Sequence, residues 1–479
     1  MWGRRKPWNG WAGAGAMARP APAFAAADYR RFRAELDAET ERLGRWFRED
    51  RFADGPVTVG YELESCLVTP EFMPADANTE FLARLNMPEA VPELARSNVE
   101  FNGRPRGIRD RGLEALHAEL DDWFARGRRT AAEMGLRLLL IGVLPTLQER
   151  HLTLEHISPS PRYRALNAAV AARRGTPYVE LTVRGRETYR GYYDSIMAES
   201  AATSFQMHIS LPPARAARCY NAALIASGPL LSVAANAPYL FGRDLWAETR
   251  VPVFAQAVDA GDVHYVTFGH GYVRESLFEL FERNRDEFPV LLPQARDTGG
   301  LEHLLLHNGT VWRWNRPVVG AGEPPHLRLE HRSLPGGPSV LDMVANCAFF
   351  YGLMRALGDR VPAPETVLDF GAARANFYRA ARDGMDAELH WLDGQRPARR
   401  LFADTLLPLA RDGLASLGVA DDLARRYLDV IAARVERGLS GAGWQRAWVA
   451  RHGRDMPAML AAYAERQASG AAVAEWSLD

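Results

Sequence analysis

SFQMHIS, residues 204–210, alternates with the period of a β-strand. Phe205, Met207 and Ile209 would face one side, and Gln206, His208 and Ser210 the other. A solvated sheet surface explains one such strand, and so does a polar face turned toward a site. Four further segments repeat the design. In VGYELESCL (59–67), Tyr61 and Leu63 oppose Glu62 and Glu64; in SNVEFNG (97–103), Val99 and Phe101 oppose Asn98, Glu100 and Asn102. TVWRWNRP (310–317) sets Arg313 and Asn315 against Trp312 and Trp314, and LRLEHRSLP (327–335) sets Arg328, Glu330 and Arg332 against Leu327, Leu329 and His331. If these strands join one curved antiparallel sheet, their polar faces line a common cleft.

The residue types in that cleft indicate its chemistry. Glu62 and Glu64 repel each other unless solvent or a cation intervenes. Hard carboxylate oxygens with at most one imidazole suit magnesium or manganese better than a closed zinc site. Arginines suit planar carboxylates and phosphates. Acids to hold metal and arginines to hold anions together imply phosphoryl chemistry. His331, Tyr61 and Trp314 fall on the apolar phase and read as packing residues. Cys66, in phase with Glu62 and Glu64, reads as a structural thiol. His151 and His156 lie in a loop-like stretch.

The remaining sequence frames this sheet. Of 479 residues, 47% are hydrophobic and 24% charged, enough to bury at least one large core. A formal charge of -1 provides no basic field for nucleic acid or an anionic membrane, and no apolar run is long enough to span a bilayer. Three widely spaced cysteines suggest a reducing, cytoplasmic setting without disulfides or structural zinc. Residues 1–27 read as a disordered or fusion-like leader, with Met17 an alternative start. Helices are expected over 28–51 and 111–135, and a buried strand over 136–145. Two buried helices are expected over 218–236, bent at Gly228-Pro229, and 339–358. A helical region follows over 358–479, its last fifteen residues fraying. No Walker loop or dinucleotide fingerprint is present.

These motifs resemble those of the glutamate-cysteine ligase superfamily, especially its bacterial group-two carboxylate-amine ligases. VGYELES is similar to the family's G-x-E-x-E strand, SNVEFNG to the acidic strand after it, and SFQMHIS to its metal-side histidine strand. AANAPYLFG (234–242), TVWRWNRP and LRLEHR are similar to its later elements, and the resemblance covers roughly residues 55–355. It implies an α+β fold with a curved antiparallel sheet of the glutamine-synthetase type, packed helices and a catalytic unit over 28–357. It also implies that ATP and Mg2+, or Mn2+, activate a carboxylate as an acyl phosphate for attack by an amine. Glu62, Glu64, Glu100, His208 and Glu330 would contact metal or ATP phosphate, with Arg332 near the transferred phosphate and Arg313 on ATP or the acyl phosphate. Gln206 departs from the His-x-His pattern of simpler members. The implied reaction joins an amino-acid carboxylate, the γ-carboxylate of glutamate, to a small amine such as cysteine. A small-molecule kinase or a noncatalytic metabolite-binding protein would share much of this apparatus, and the sequence leaves the oligomeric state open.

Overall fold

The computed structural model describes residues 24–294, 299–320, 322–366 and 368–479. The expected leader lies outside the described residues as far as residue 23. The fold is α+β. Its main sheet contains β1 (Thr58–Val68), β2 (Ala90–Pro92), β3 (Asn98–Asn102), β4 (Arg106–Gly107), β5 (Arg137–Leu139), β6 (Ser204–Ser210), β7 (Asn315–Gly320) and β8 (His326–Pro335). The order is β7-β8-β6-β1-β3-β2, with β4 and β5 also pairing with β1, and every pairing is antiparallel. The sheet is open. The strand expected over 136–145 is only β5, because the chain leaves the ladder after Leu139.

Alternation determines which face is covered. Tyr61, Leu63, Val99, Phe101, Phe205, Met207, Ile209, Leu327 and Leu329 are all buried in one core with α1 (Ala216–Ala234) and α2 (Val340–Asp359). The reverse face of the same strands is left for polar side chains. His331 lies on the covered side, between Asn315 Oδ1 at 2.8 Å and Ser333 Oγ at 2.7 Å, and its ring packs on Phe350. Burial pushes its pKa down to about 3, so it is a neutral structural imidazole, as its phase implied.

α1 does not break at Gly228-Pro229. The helix Phe370–Asp383 crosses there, and a Cβ on Gly228 would stand 2.9 Å from Asn376. Gly228 permits that close approach, and packing on all sides holds the helix through Pro229. α2 follows the Gly336-Gly337 turn, where Gly337 has φ +78° and a Cβ would meet the Leu140 carbonyl at 2.5 Å. Among the described residues α2 alone is long and apolar enough to cross a membrane, but 83% of its most apolar window is buried in the molecule.

The C-terminal helices close over the end of α2. Ser339 caps it by accepting from Asp342 N–H at 3.1 Å, while the Asp342 carboxylate accepts from Ser339 Oγ at 2.8 Å. Arg434, on α3 (Asp421–Arg437), donates twice to Asp342 Oδ1, at 3.0 and 2.7 Å, and once to Asn346 Oδ1 at 2.7 Å. Val473 N–H completes the group with a 2.9 Å bond to Asp342 Oδ2. The expected fraying of the last residues is therefore corrected. Val473, Ala474 and Trp476 are buried, and the Trp476 ring stands edge-on to Trp444 and Tyr463. A composition rich in Ala, Gly and Ser suggested a loose tail, but one tryptophan and one backbone N–H anchor it.

Two stability measurements check this packing. Arg434→Leu leaves Asp342 buried without its cation, so urea unfolding should show a loss of about 3–5 kcal/mol; a loss below 1 kcal/mol would contradict the buried pair. His307 is also buried, its Nε2–H donating to the Phe288 carbonyl at 2.8 Å. Burial, outweighing that bond, pushes its pKa down to about 4. The unfolded chain takes up a proton below about pH 6.5 that the folded chain refuses until about pH 4, so stability present above pH 6.5 is lost as pH falls. The loss is about 3 kcal/mol in total. Urea midpoints of wild type and His307→Gln should converge in pH slope above pH 6.5 and diverge below it, and parallel slopes throughout would refute the assignment.

Candidate active site

The uncovered face of the sheet collects the polar residues by register. β1 is central: Glu62 stands opposite Gln206 on one side and Asn102 on the other, and Glu64 stands opposite Glu100. β6 sets His208 opposite Glu330, and β7 sets Arg316 opposite Glu330 from the far side. The result is two adjacent groups of potential ligands. Glu62, His208 and Glu330 form one and Glu64, Glu93 and Glu100 the other, each with its ligand atoms within 4.8 Å of one another.

The electrostatics of the groups differ. Glu330 is fully buried between the guanidinium groups of Arg316, at 2.8 Å, and Arg332. Burial alone would raise its pKa, but those two cations and His208 hold it well below the usual carboxylate range. Burial and the Glu330 charge also push Glu62 up, and the imidazole of His208 and then Arg332 prevail to keep it low. In the other group the acids have no such help. Burial, Glu64 and Glu199 push Glu93 well above its ordinary value, and burial with Glu93, Glu62 and Glu64 does the same to Glu100. Glu64 is oriented by the Ser204 N–H at 2.8 Å and the Ser204 hydroxyl at 2.7 Å. Three carboxylates that repel one another in a half-buried group fit a hard divalent cation.

The face also holds donors with nothing to donate to. Nε of Arg316, Arg328 and Arg332 and Nε2 of His208 are buried without a hydrogen-bond partner, the nearest carboxylate oxygen to His208 Nε2 being that of Glu62 at 3.4 Å. Buried unsatisfied donors are costly and call for an acceptor. Acids that need cations beside guanidinium groups that need anions fit a metal-bound polyphosphate.

Arg332 reaches the site through an irregularity in β8. The β6 register shifts between His331 and Leu334; Ser333 is held there by the buried Arg250, which donates to its carbonyl at 3.0 Å. Arg332 can then donate at 2.6 Å to Gln206 Oε1 as well as to Glu330. Gln206 orients this guanidinium.

One sequence-predicted residue is elsewhere. Arg313 is buried on a short parallel pairing of Trp312–Arg313 with Val266–Thr267, donates to Asn284 Oδ1 at 3.1 and 2.8 Å, and stands over the Phe288 ring. The chain changes strands at Trp314, so the alternation read through TVWRWNRP fails there. Asn315 consequently turns to the covered side, to Ser227 and His331. Arg316 takes the place expected of Arg313. Glu62, Glu64, Glu100, His208, Glu330 and Arg332 are brought together. Missed were Arg316, Glu93, just past β2, and Glu199, in the turn Ile196–Ala201, whose pKa burial and Glu64 push up to about 8. Glu93 and Glu199 follow no strand period, and Arg316 is on one that begins only after Trp314. Cys66 is buried, its thiol pushed up to about 12 by burial, and His156 bonds Asp76 at 2.6 Å away from the acids.

Two cavities meet at Glu62. One, of about 180 Å3, runs along Thr58, Ser210, His326 and Arg328. The other, of about 450 Å3, is lined by Glu64, Glu93, Glu100, Arg316 and Arg332 together with Tyr163, Glu199 and Trp312.

The chain matches the model of glutamate-cysteine ligase family 2 (GCS2) over residues 58–475. It belongs to that family. The match extends well past residue 355, through the C-terminal helices. No curated protein sequence matches the chain significantly. The glutamate–cysteine ligase of Francisella tularensis, in complex with AMP, shares the fold with a TM-score of 0.56 at 12% identity, over 89% of this chain and 91% of that one. A bifunctional glutathione synthetase from Pasteurella multocida gives 0.50 at 14% identity, over 91% of this chain and 54% of that one, so this GCS2 chain spans about half of that protein. Membership carries ATP-dependent carboxylate-amine ligase chemistry of the general kind, on small-molecule substrates.

The acid group makes a prediction that separates stability from function. Glu100→Gln removes a carboxylate that burial and three like charges disfavour, so the metal-free variant should melt higher than metal-free wild type. Millimolar Mg2+ or Mn2+ should raise the wild-type Tm by mass action, and the variant's shift should be much smaller. A variant that melts lower without metal, or gains as much with it, would contradict a cation site here.

Proposed function

We propose that the chain joins the γ-carboxylate of glutamate to a primary amine with ATP as phosphoryl donor, by way of an acyl phosphate. The observation that supports this best is the pairing, on one half-buried face, of two three-ligand groups with three guanidinium groups whose Nε donors are unspent. Mg2+ is the natural cation for these oxygen donors, with Mn2+ able to replace it, and when bound it offsets phosphate charge and polarises the transferring group. Glu62, His208 and Glu330 would hold one ion and Glu64, Glu93 and Glu100 the other.

The chain's own residues do the rest. Arg332, fixed by Gln206 and Glu330, presents its remaining donors to the phosphoryl group as charge develops on it. Arg316 shares the neutralisation of Glu330, leaving the Arg332 fork oriented. The smaller cavity suits the nucleotide side and the larger one the carboxylate and amine, so in-line transfer would take place over Glu62. A closed cleft then protects the acyl phosphate from water until the amine nitrogen attacks the acyl carbon and phosphate departs with the C–O electron pair.

Two experiments test the reading. Glutamate labelled with 18O in its γ-carboxylate should pass one 18O into inorganic phosphate for each amide formed; amide formation without that transfer would reject the acyl phosphate, and a stable phosphorylated product without amine would make the protein a kinase. Arg332→Lys keeps the charge but loses the planar fork. Steady-state ADP release should fall by roughly 10²–10³-fold with the fold intact, and near-normal kcat would remove Arg332 from the mechanism.

A further inference from the structure

The larger cleft is not lined by charged groups alone. Its apolar lining is built by Tyr163 and Leu166 on the helix Pro161–Arg174, Ile196 on the turn that carries Glu199, Leu292 and Trp312. Ile196 and Leu292 are fully buried, whereas Tyr163, Leu166 and Trp312 are half-buried. The Tyr163 hydroxyl is already committed to the Pro92 carbonyl at 3.1 Å, so its ring is what remains for the cleft. Trp312 is braced edge-on by Phe254 and Tyr265, with ring centroids 6.1 and 6.4 Å away. A rigid, partly uncovered aromatic wall inside a cleft is the surface an apolar ligand group covers.

Glu199 lines the same cleft, close enough to Glu64 and Glu93 to share their repulsion. Its carboxyl belongs to neither ligand group and accepts no hydrogen bond among the described residues. An ammonium placed there would relieve that repulsion and form a charge-assisted hydrogen bond with the ionised carboxylate. Cysteine or ammonia would satisfy Glu199 but leave the aromatic wall bare. At about 450 Å3 the cleft also falls among pockets that enclose drug-sized ligands, roughly 300–1,000 Å3.

We infer that the amine substrate carries a bulky apolar or aromatic group, its ammonium at Glu199 and that group against Trp312, Tyr163 and Leu166. The inference rests on the ligase reading above and names the acceptor class for it. Glu199 and Trp312 would then set acceptor specificity, Glu199 for any primary amine and Trp312 for size and apolarity.

Phenethylamine and methylamine are the probes, titrated calorimetrically into the full-length protein with Mg2+ and ADP. Phenethylamine should bind at least tenfold more tightly than methylamine, within the 10–200-fold range that apolar pockets give. Trp312→Ala should shrink that ratio at least tenfold, and Glu199→Gln should weaken both amines. Leu166→Asn, at a half-buried helix position, repeats the test if Trp312→Ala does not fold. Equal binding of the two amines, or a ratio unchanged in the folded wall variants, overturns the inference. Amide formation from glutamate and ATP is scored separately with both probes and cysteine. Turnover that favours cysteine or methylamine over phenethylamine leaves the ligase reading intact and overturns this one; ATP turnover that yields no amide with any of the three amines sinks the ligase reading, while calorimetry still decides the acceptor class.

Discussion

Mutual repulsion among carboxylates on one sheet face is the constraint to which the rest of the structure answers. Glu62, Glu64, Glu93, Glu100 and Glu330 are gathered in one cleft, half-buried except for the fully buried Glu330, and a sheet holding them must be secured by something else. Apolar packing of the opposite face against α1 and α2 supplies that security. The guanidinium groups of Arg316 and Arg332 both bond Glu330, and Arg332 also steadies the charge of Glu62. Glu93 and Glu100 are left pushed toward the protonated form, an arrangement that a cation would relieve.

Positioning of Arg332 and Glu330 depends on parts of the chain far from them. Arg332 follows Glu330 on a strand whose register breaks immediately afterwards, and that break is held from behind by Arg250 on Ser333 and by His331 on the Ser333 hydroxyl. The same strand runs through a glycine turn into α2, whose first turn is locked by Arg434 and the Val473 N–H. The family match over the helical C-terminal region accords with this arrangement: those helices fix the beginning of α2, and α2 fixes the sheet.

Much of the site was legible because strand alternation is local. Glu62, Glu64, Glu100, His208, Glu330 and Arg332 each sit two or four residues from another polar residue on the same strand, and a period of two places them on one face without knowledge of the partner strand. Arg316 required cross-strand register, since the break at Trp314 turned the expected Arg313 into the core. Glu93 and Glu199 lie just outside a short strand and within a tight turn, where no period operates. The straight path of α1 through Pro229 and the anchored tail were hidden for another reason: both depend on tertiary packing that overrides local preference. Resemblance to the carboxylate-amine ligases supplied closure of the polar faces into one cleft, which periodicity cannot give.

Cation binding by this acid-lined face is the central claim, and anomalous diffraction from crystals soaked in Mn2+ measures it most directly. The account predicts two anomalous peaks, one among Glu62, His208 and Glu330 and one among Glu64, Glu93 and Glu100. Crystals that take up Mn2+ at neither group, with nucleotide present, would contradict it.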